Sequence, residues 1–143
     1  MDTNTVHEIA ALLQRAAKQK KLVTYQRLHS LFVPGQTLTE RYRALQDAAQ
    51  LLSDCRSLDY GCLMALDSGL PGDDFFARFR RNRPAEFQAV MGFASPGRSR
   101  TKKRRIAEQE RARVYEHAKK YAGNYALSER AAVFRPQEAY ETY

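Results

Sequence analysis

Six cationic side chains fall within Arg98–Arg105, "RSRTKKRR", and no acidic residue interrupts them. Lys and Arg at this density suit one chemistry above others: neutralising phosphates and releasing the counterions condensed on a polyanion. The wider charge is lopsided in the same way. Positions 97–121 carry 10 Lys/Arg against 3 Asp/Glu, a net of +7, whereas 1–96 carry 12 against 10 and 122–143 carry 2 against 3. Nearly all of the formal charge of +8 therefore sits in one segment, which points to a polyanionic partner. "KKRR" also matches a nuclear address patch, but that reading leaves Arg98, Arg100, Arg111 and Arg113 without a role.

Groups suited to catalysis are sparse. Cys55 and Cys62 are too few for a disulfide framework and lack the partners of a zinc site, so they read as buried thiols. His7, His29 and His117 stand apart from one another, without metal-ligand spacing. Asp73-Asp74 is an acidic pair of the kind that recruits magnesium, yet beside Phe75-Phe76 it reads as a loop. No Gly-rich phosphate loop is present. The expectation is a non-catalytic protein without cofactor or metal.

The elements that must carry the cations follow from apolar spacing and capping signals. Thr5 with Glu8 has capping-box spacing, and Val6, Ile9, Ala10, Leu13, Ala16 and Ala17 then mark one helical face that closes at "KQKK". Leu22-Val23 reads as a short extended piece, and Thr24 caps a second helix with Tyr25, Leu28, Leu31 and Phe32 inside. Pro34-Gly35 makes a turn. Thr37 with Glu40 opens a third helix to about Leu52, with a core stripe of Leu38, Tyr42, Leu45, Ala49 and Leu52. Two capped helices around a tight turn form a helix-turn-helix candidate. Cys62 to Leu66, the turn Ser68 to Pro71 and Phe75-Phe76 then predict a strand, turn and second extended segment, with Asp73 and Asp74 at its tip.

A short helix is expected over Pro84–Met91, a linker over 92–101 and a long helix over Lys102–Ala122. The apolar stripe of that long helix, Ala107, Val114, Ala118 and Tyr121, is thin and predicts weak docking. Aromatic packing by Tyr125, Phe134, Tyr140 and Tyr143 would partly order the tail. The predicted fold class is mainly α with a small β-hairpin: a winged helix-turn-helix core at 1–94, and a basic linker, long helix and tail at 95–143.

Val23-Thr24-Tyr25, followed by Leu28, a capped helix bearing Arg43 and then an extended stretch, resembles the DNA-binding domain of the alkylated-DNA alkyltransferases. Gly69-Leu70-Pro71-Gly72 is similar to a Gly-x-Pro-Gly turn of winged domains found beside nucleases and restriction proteins. The resemblance covers roughly residues 5–80. It implies a winged domain that docks on DNA, in the minor groove for the alkyltransferases. Alkyl transfer does not carry over. The family's nucleophile lies in Pro-Cys-His-Arg, whereas "DYGCLMALDSG" has no Pro before Cys62 and Leu63-Met64 after it. A thiol without an adjacent base or cation is not activated.

The function expected from the sequence is therefore binding of nucleic acid, duplex DNA ahead of RNA. Arg41, Arg43, Gln46 and Gln50 would face a groove, where Arg and Gln can make bidentate base contacts. Arg78, Arg80, Arg81, Arg98, Arg100, Lys102, Lys103, Arg104, Arg105, Arg111 and Arg113 would contact phosphates. RNA stays open through stacking by Tyr121, Tyr125 and Tyr140. The alternative is a protein-interaction module: a regulator or inhibitor of a larger nucleoprotein complex, of the kind a mobile element encodes. No apolar run approaches the ~20 residues of a membrane span, and "MDTNTVHEIAALL" lacks signal-peptide order. A cytoplasmic location with no membrane partner is expected.

Overall fold

The computed structural model describes residues 3–92 and 96–132, the backbone alone at 96–98 and 121–132. The elements run α1 (Thr3–Gln19), β1 (Val23–Thr24), α2 (Tyr25–His29), α3 (Leu38–Leu52), a 3-10 turn (Tyr60–Leu63), β2 (Met64–Ala65), α4 (Asp73–Asn82), α5 (Pro84–Met91) and α6 (Pro96–Ala132). The described chain is mainly helical with one small sheet, as the sequence predicts at that level.

Helix α1 is the hub. Its stripe of Val6, Ile9, Ala10, Leu13, Ala16 and Ala17 is buried, and it packs against α3, α6 and the 3-10 turn. The contact is rich in alanine: Ala44, Ala48 and Ala49 on α3 and Ala107 and Ala118 on α6 are all buried in the same cluster. Small side chains bring helix backbones close without leaving voids. Helix α1 begins at Thr3, so the predicted Thr5 cap lies inside the helix, where it is buried. Helix α3 opens with the predicted capping box: Glu40 N donates to Thr37 Oγ1 at 3.2 Å and Thr37 N to Glu40 Oε1 at 3.0 Å. Burial on α3 starts only at Ala44, which leaves Leu38, placed in the core by the sequence pattern, 60% exposed.

The predicted β-hairpin does not form. β1 pairs with β2 in parallel, Val23 opposite Met64 and Thr24 opposite Ala65, with α2, α3 and the 3-10 turn inside the crossover. Phe75-Phe76, expected to be extended, lies in α4. Helical spacing wins there: Phe75 and Phe79 are buried one turn apart. Asp73 and Asp74 fill the first turn and Arg80 and Arg81 the last, each complementing the helix dipole. The acidic pair is thus a helix start and not a wing tip. Tyr25 Oη accepts from Gly72 N at 2.8 Å and donates to Asp74 Oδ1 at 2.7 Å, which ties α2 to the start of α4.

Helix α6 begins at Pro96 within the expected linker and runs for 37 residues, roughly 55 Å at 1.5 Å per residue. It is no weakly docked appendage. Ile106, Ala107, Val114 and Ala118 join the same core as α1 and α3, and Glu110 and Arg111 complete the buried stripe. The predicted roles of Phe134, Tyr140 and Tyr143, and the side chains of Arg98, Tyr121 and Tyr125, lie outside what is described.

Candidate nucleic-acid interface

The cations divide into those the core consumes and those the surface keeps. Arg78, expected at phosphates, is buried and grips Asp59 in a bidentate pair at 2.6 and 3.0 Å. Burial works against its charge, but Asp59 overcomes this and holds the guanidinium firmly ionised. Arg111 is likewise mostly buried. Its Nε donates to Cys62 O at 2.7 Å and its Nη2 to Met64 O at 3.2 Å and Gly69 O at 2.9 Å. Both arginines occur at inward helical positions, which the charge of the side chain masks in the sequence.

Arg113 is half-exposed and committed to carboxylates, at 3.2 Å from Glu86 and 3.3 Å from Glu110. Glu110 is the centre of this network. It is 1% exposed, and it accepts from Asp59 N at 2.8 Å and from both Arg83 terminal nitrogens at 2.6 and 2.8 Å. Arg83 also reaches Glu86 at 2.8 Å and stacks 4.4 Å from the Phe79 ring centroid. Sequence reasoning missed Glu110 and Asp59; it offered Arg83 to phosphates, with Glu86 among the acids that could pair with such arginines, and that pair forms. The available signal was Glu110 itself, a carboxylate three residues after Ala107 and four before Val114 in an otherwise apolar stripe.

What remains at the surface is concentrated where α6 meets α4 and α5. Arg100 and Arg105 are exposed. Lys102 Nζ donates to Met91 O at 3.3 Å, Lys103 Nζ stands 5.3 Å from the Phe76 ring centroid, and Arg104 Nη2 donates to Ser68 O at 3.1 Å. From α4, exposed Arg80 lies 5.4 Å from the Phe87 ring centroid, one turn after Phe76, and Arg81 is exposed beside it. Carbonyls and aromatic faces orient these groups without cancelling their charge. Farther along, Lys119 and Lys120 are exposed on α6 as well.

The α3 residues form a separate set, because α3 and α6 each pack mainly on α1. Arg43 and Gln46 are exposed. Gln50 spends its oxygen on Cys55 N at 3.1 Å. Arg41 locks the α2–α3 connection: it donates to Gln36 O at 3.0 Å and Val33 O at 3.2 Å, meets His29 Nδ1 at 3.3 Å and stacks 5.5 Å from Phe32.

No protein-family model, curated protein or solved structure matches this chain. What its surface does must follow from chemistry. Burial, with nearby carboxylates, raises the Cys62 thiol well above the ordinary thiol range, and burial pushes Cys55 up to about 12. Neither supplies a thiolate at neutral pH. Among the described residues no group of three or more His, Cys, Asp or Glu is placed to hold a metal ion, and no helix is long and apolar enough to cross a membrane.

Proposed function

We propose that the protein binds nucleic acid, duplex DNA in preference to RNA, without chemistry of its own. The observation that carries this reading is the uncompensated charge at the start of α6. Between Arg100 and Arg105 the five described cations make no ion pair with a described carboxylate. Glu86 and Glu110 are taken up by Arg83 and Arg113, which leaves exposed Glu108 as the one acid on α6 close to the five cations. Cations left without a carboxylate partner are available for phosphates. At 3.6 residues per turn these cations spread around the first turns of α6 and make a dense local charge, not a single row. Arg80 and Arg81 add flanking contacts. The helix-turn-helix reading leaves Arg43 and Gln46 on α3 as the residues for base edges, with Arg41 positioning the helix.

Binding by about five phosphate contacts gives a slope of log K against log salt near −4 to −5. Replacing Arg100 and Arg105 together by Gln lowers the slope by about 2; an unchanged slope contradicts the assignment. Excess single-stranded RNA should compete poorly, and equal competition would reverse the preference for DNA. A second reading has one observation in its favour: Val33 and Leu38, 65% and 60% exposed at the α2–α3 connection, offer an apolar contact for a protein partner in a larger nucleoprotein complex. Under that reading DNA association requires the partner and survives high salt.

A further inference from the structure

Three arginines are buried among the described residues, and they are not treated alike. Arg78 has Asp59, and Arg83 has Glu110 and Glu86. Arg111 has only carbonyl oxygens, those of Cys62, Met64 and Gly69. A buried cation without a carboxylate is the costly arrangement, since carbonyl dipoles stabilise charge without neutralising it. Burial accordingly lowers the affinity of Arg111 for its proton, against the opposing influence of Cys62, Tyr115 and Glu108, and Arg104 adds a little to the lowering.

Arg104 is the second half of the arrangement. It lies two helical turns before Arg111, on the same side of α6, and donates to Ser68 O, the carbonyl adjacent in sequence to the Gly69 oxygen held by Arg111. Two guanidinium groups are thereby fixed side by side on one turn, Leu66–Leu70, closed by Leu66 N on Leu70 O at 2.8 Å and Gly69 N on Leu66 O at 2.8 Å. Arg104 Nη1 lies beside Gly69, where a Cβ would stand 3.7 Å away in ordinary contact. Arg111 Nη1 takes part in none of the three carbonyl bonds. It is not sealed off either, because Asp74 Oδ2 is the single described buried side-chain nitrogen or oxygen without a partner. Neither Nη1 makes a hydrogen bond to a described residue, and neither arginine forms an ion pair with a described carboxylate, Glu108 acting on Arg111 without one.

We infer that Arg104 and Arg111, clamped on the Leu66–Leu70 turn, form a binding site for one phosphate group. Paired guanidinium forks match the oxygens of a phosphate, and charge-assisted bonds of this kind are the strong ones. The site depends on the nucleic-acid reading only for the source of its phosphate, a backbone diester or a terminal monoester.

The test follows the arginine Nε–H signals of the full chain by nuclear magnetic resonance while inorganic phosphate is added at constant ionic strength. Saturable shifts of the Arg104 and Arg111 signals, with that of exposed Arg27 unmoved, are expected. Arg104→Gln should weaken phosphate binding about tenfold, whereas Lys18→Gln, which removes the same charge from α1, leaves it intact. Linear shifts common to all arginines, or saturation that survives in Arg104→Gln, overturn the site. Arg104 makes one bond to an exposed turn, so its variant does not depend on Arg111 being dispensable for folding. In a second arm, oligonucleotides with and without a 5′-phosphate displace the inorganic ion. Displacement by the phosphorylated form alone assigns a terminal monoester and equal displacement a diester, both supporting the site. Saturation by phosphate without any binding of duplex DNA would retain the site and refute the proposed function; duplex binding without saturation would do the reverse.

Discussion

Asp59 and Arg78 illustrate why single residues are hard to place from sequence. Both are ionised types, yet they are 1% and 3% exposed and face one another across the 3-10 turn. Gly61 makes the room: a Cβ there would lie 2.2 Å from Arg78 Nη2 and 2.9 Å from Asp59 Oδ1. A long side chain usually yields to such a clash, but this one is held in a buried bidentate pair. Gly61→Ala should therefore destabilise the fold by roughly 3 kcal/mol in urea denaturation, as breaking a buried pair does; a loss under about 1 kcal/mol would mean the pair can shift without cost. Nothing local in "LDYGCL" announces this, because the partner of Asp59 comes from α4 and that of its amide from α6. His117 offers a pH test at the same scale. Its Nδ1 meets Tyr60 Oη at 2.8 Å, and burial holds its pKa below the ordinary histidine value of 6.5. The unfolded chain then binds more protons as pH falls, so this contribution is complete above pH 6.5 and is lost as pH drops through the folded value. Melting temperature should decline below about pH 6.5 and decline less in His117→Gln. An identical decline in both would assign the loss to other groups. Asp54, which hydrogen bonds from Arg56 hold down at about 2, and Glu86, lowered mainly by its hydrogen bond from Arg83, act only in more acid solution.

At the level of elements, legibility tracked whether the signal was local. The α3 capping box, Thr24 as the cap of α2 and Pro84 at the start of α5 stand as the sequence predicts. The β pair was not legible, because Val23-Thr24 and Met64-Ala65 find each other across α2 and α3, and two residues a side carry no alternation to read. The extended reading of Phe75-Phe76 gave way to dipole complementarity and one-turn spacing in α4. For α6 the apolar residues alone suggested weak docking; burial of Glu110 and Arg111 through ionic and carbonyl bonds supplies what the stripe lacks. A chain ending at residue 96 should therefore lose its cooperative melting transition, since it lacks Ile106, Ala107, Val114 and Ala118 from the core. A sharp transition near that of the full chain would show that α6 is dispensable to the fold. Binding tests must for this reason use point variants and not that truncation.

Across the whole molecule, two described carboxylates, Asp59 and Glu110, are spent inside on arginines while the cations at the start of α6 stay outside. Asp59 and Glu110 serve buried arginines, Glu86 closes the network from α5, and the start of α6 keeps its charge. This division explains why the excess charge was legible in the sequence while its distribution was not: the count shows the surplus, and only packing shows which cations are consumed. The groove-facing set proved smaller than the sequence implied, with Gln50 and Arg41 engaged in structural bonds. The phosphate-facing set lost Arg78 to the core and Arg113 to carboxylates, and Arg111, mostly buried on carbonyls, stays in it only through the inferred pairing with Arg104. The most direct test of the central claim is the affinity of the full chain for a random-sequence duplex at several salt concentrations. The account predicts measurable binding at low salt and a log–log slope of about −4 to −5, reduced by about 2 in the Arg100→Gln/Arg105→Gln chain. No binding at low salt, or binding indifferent to salt, would contradict it.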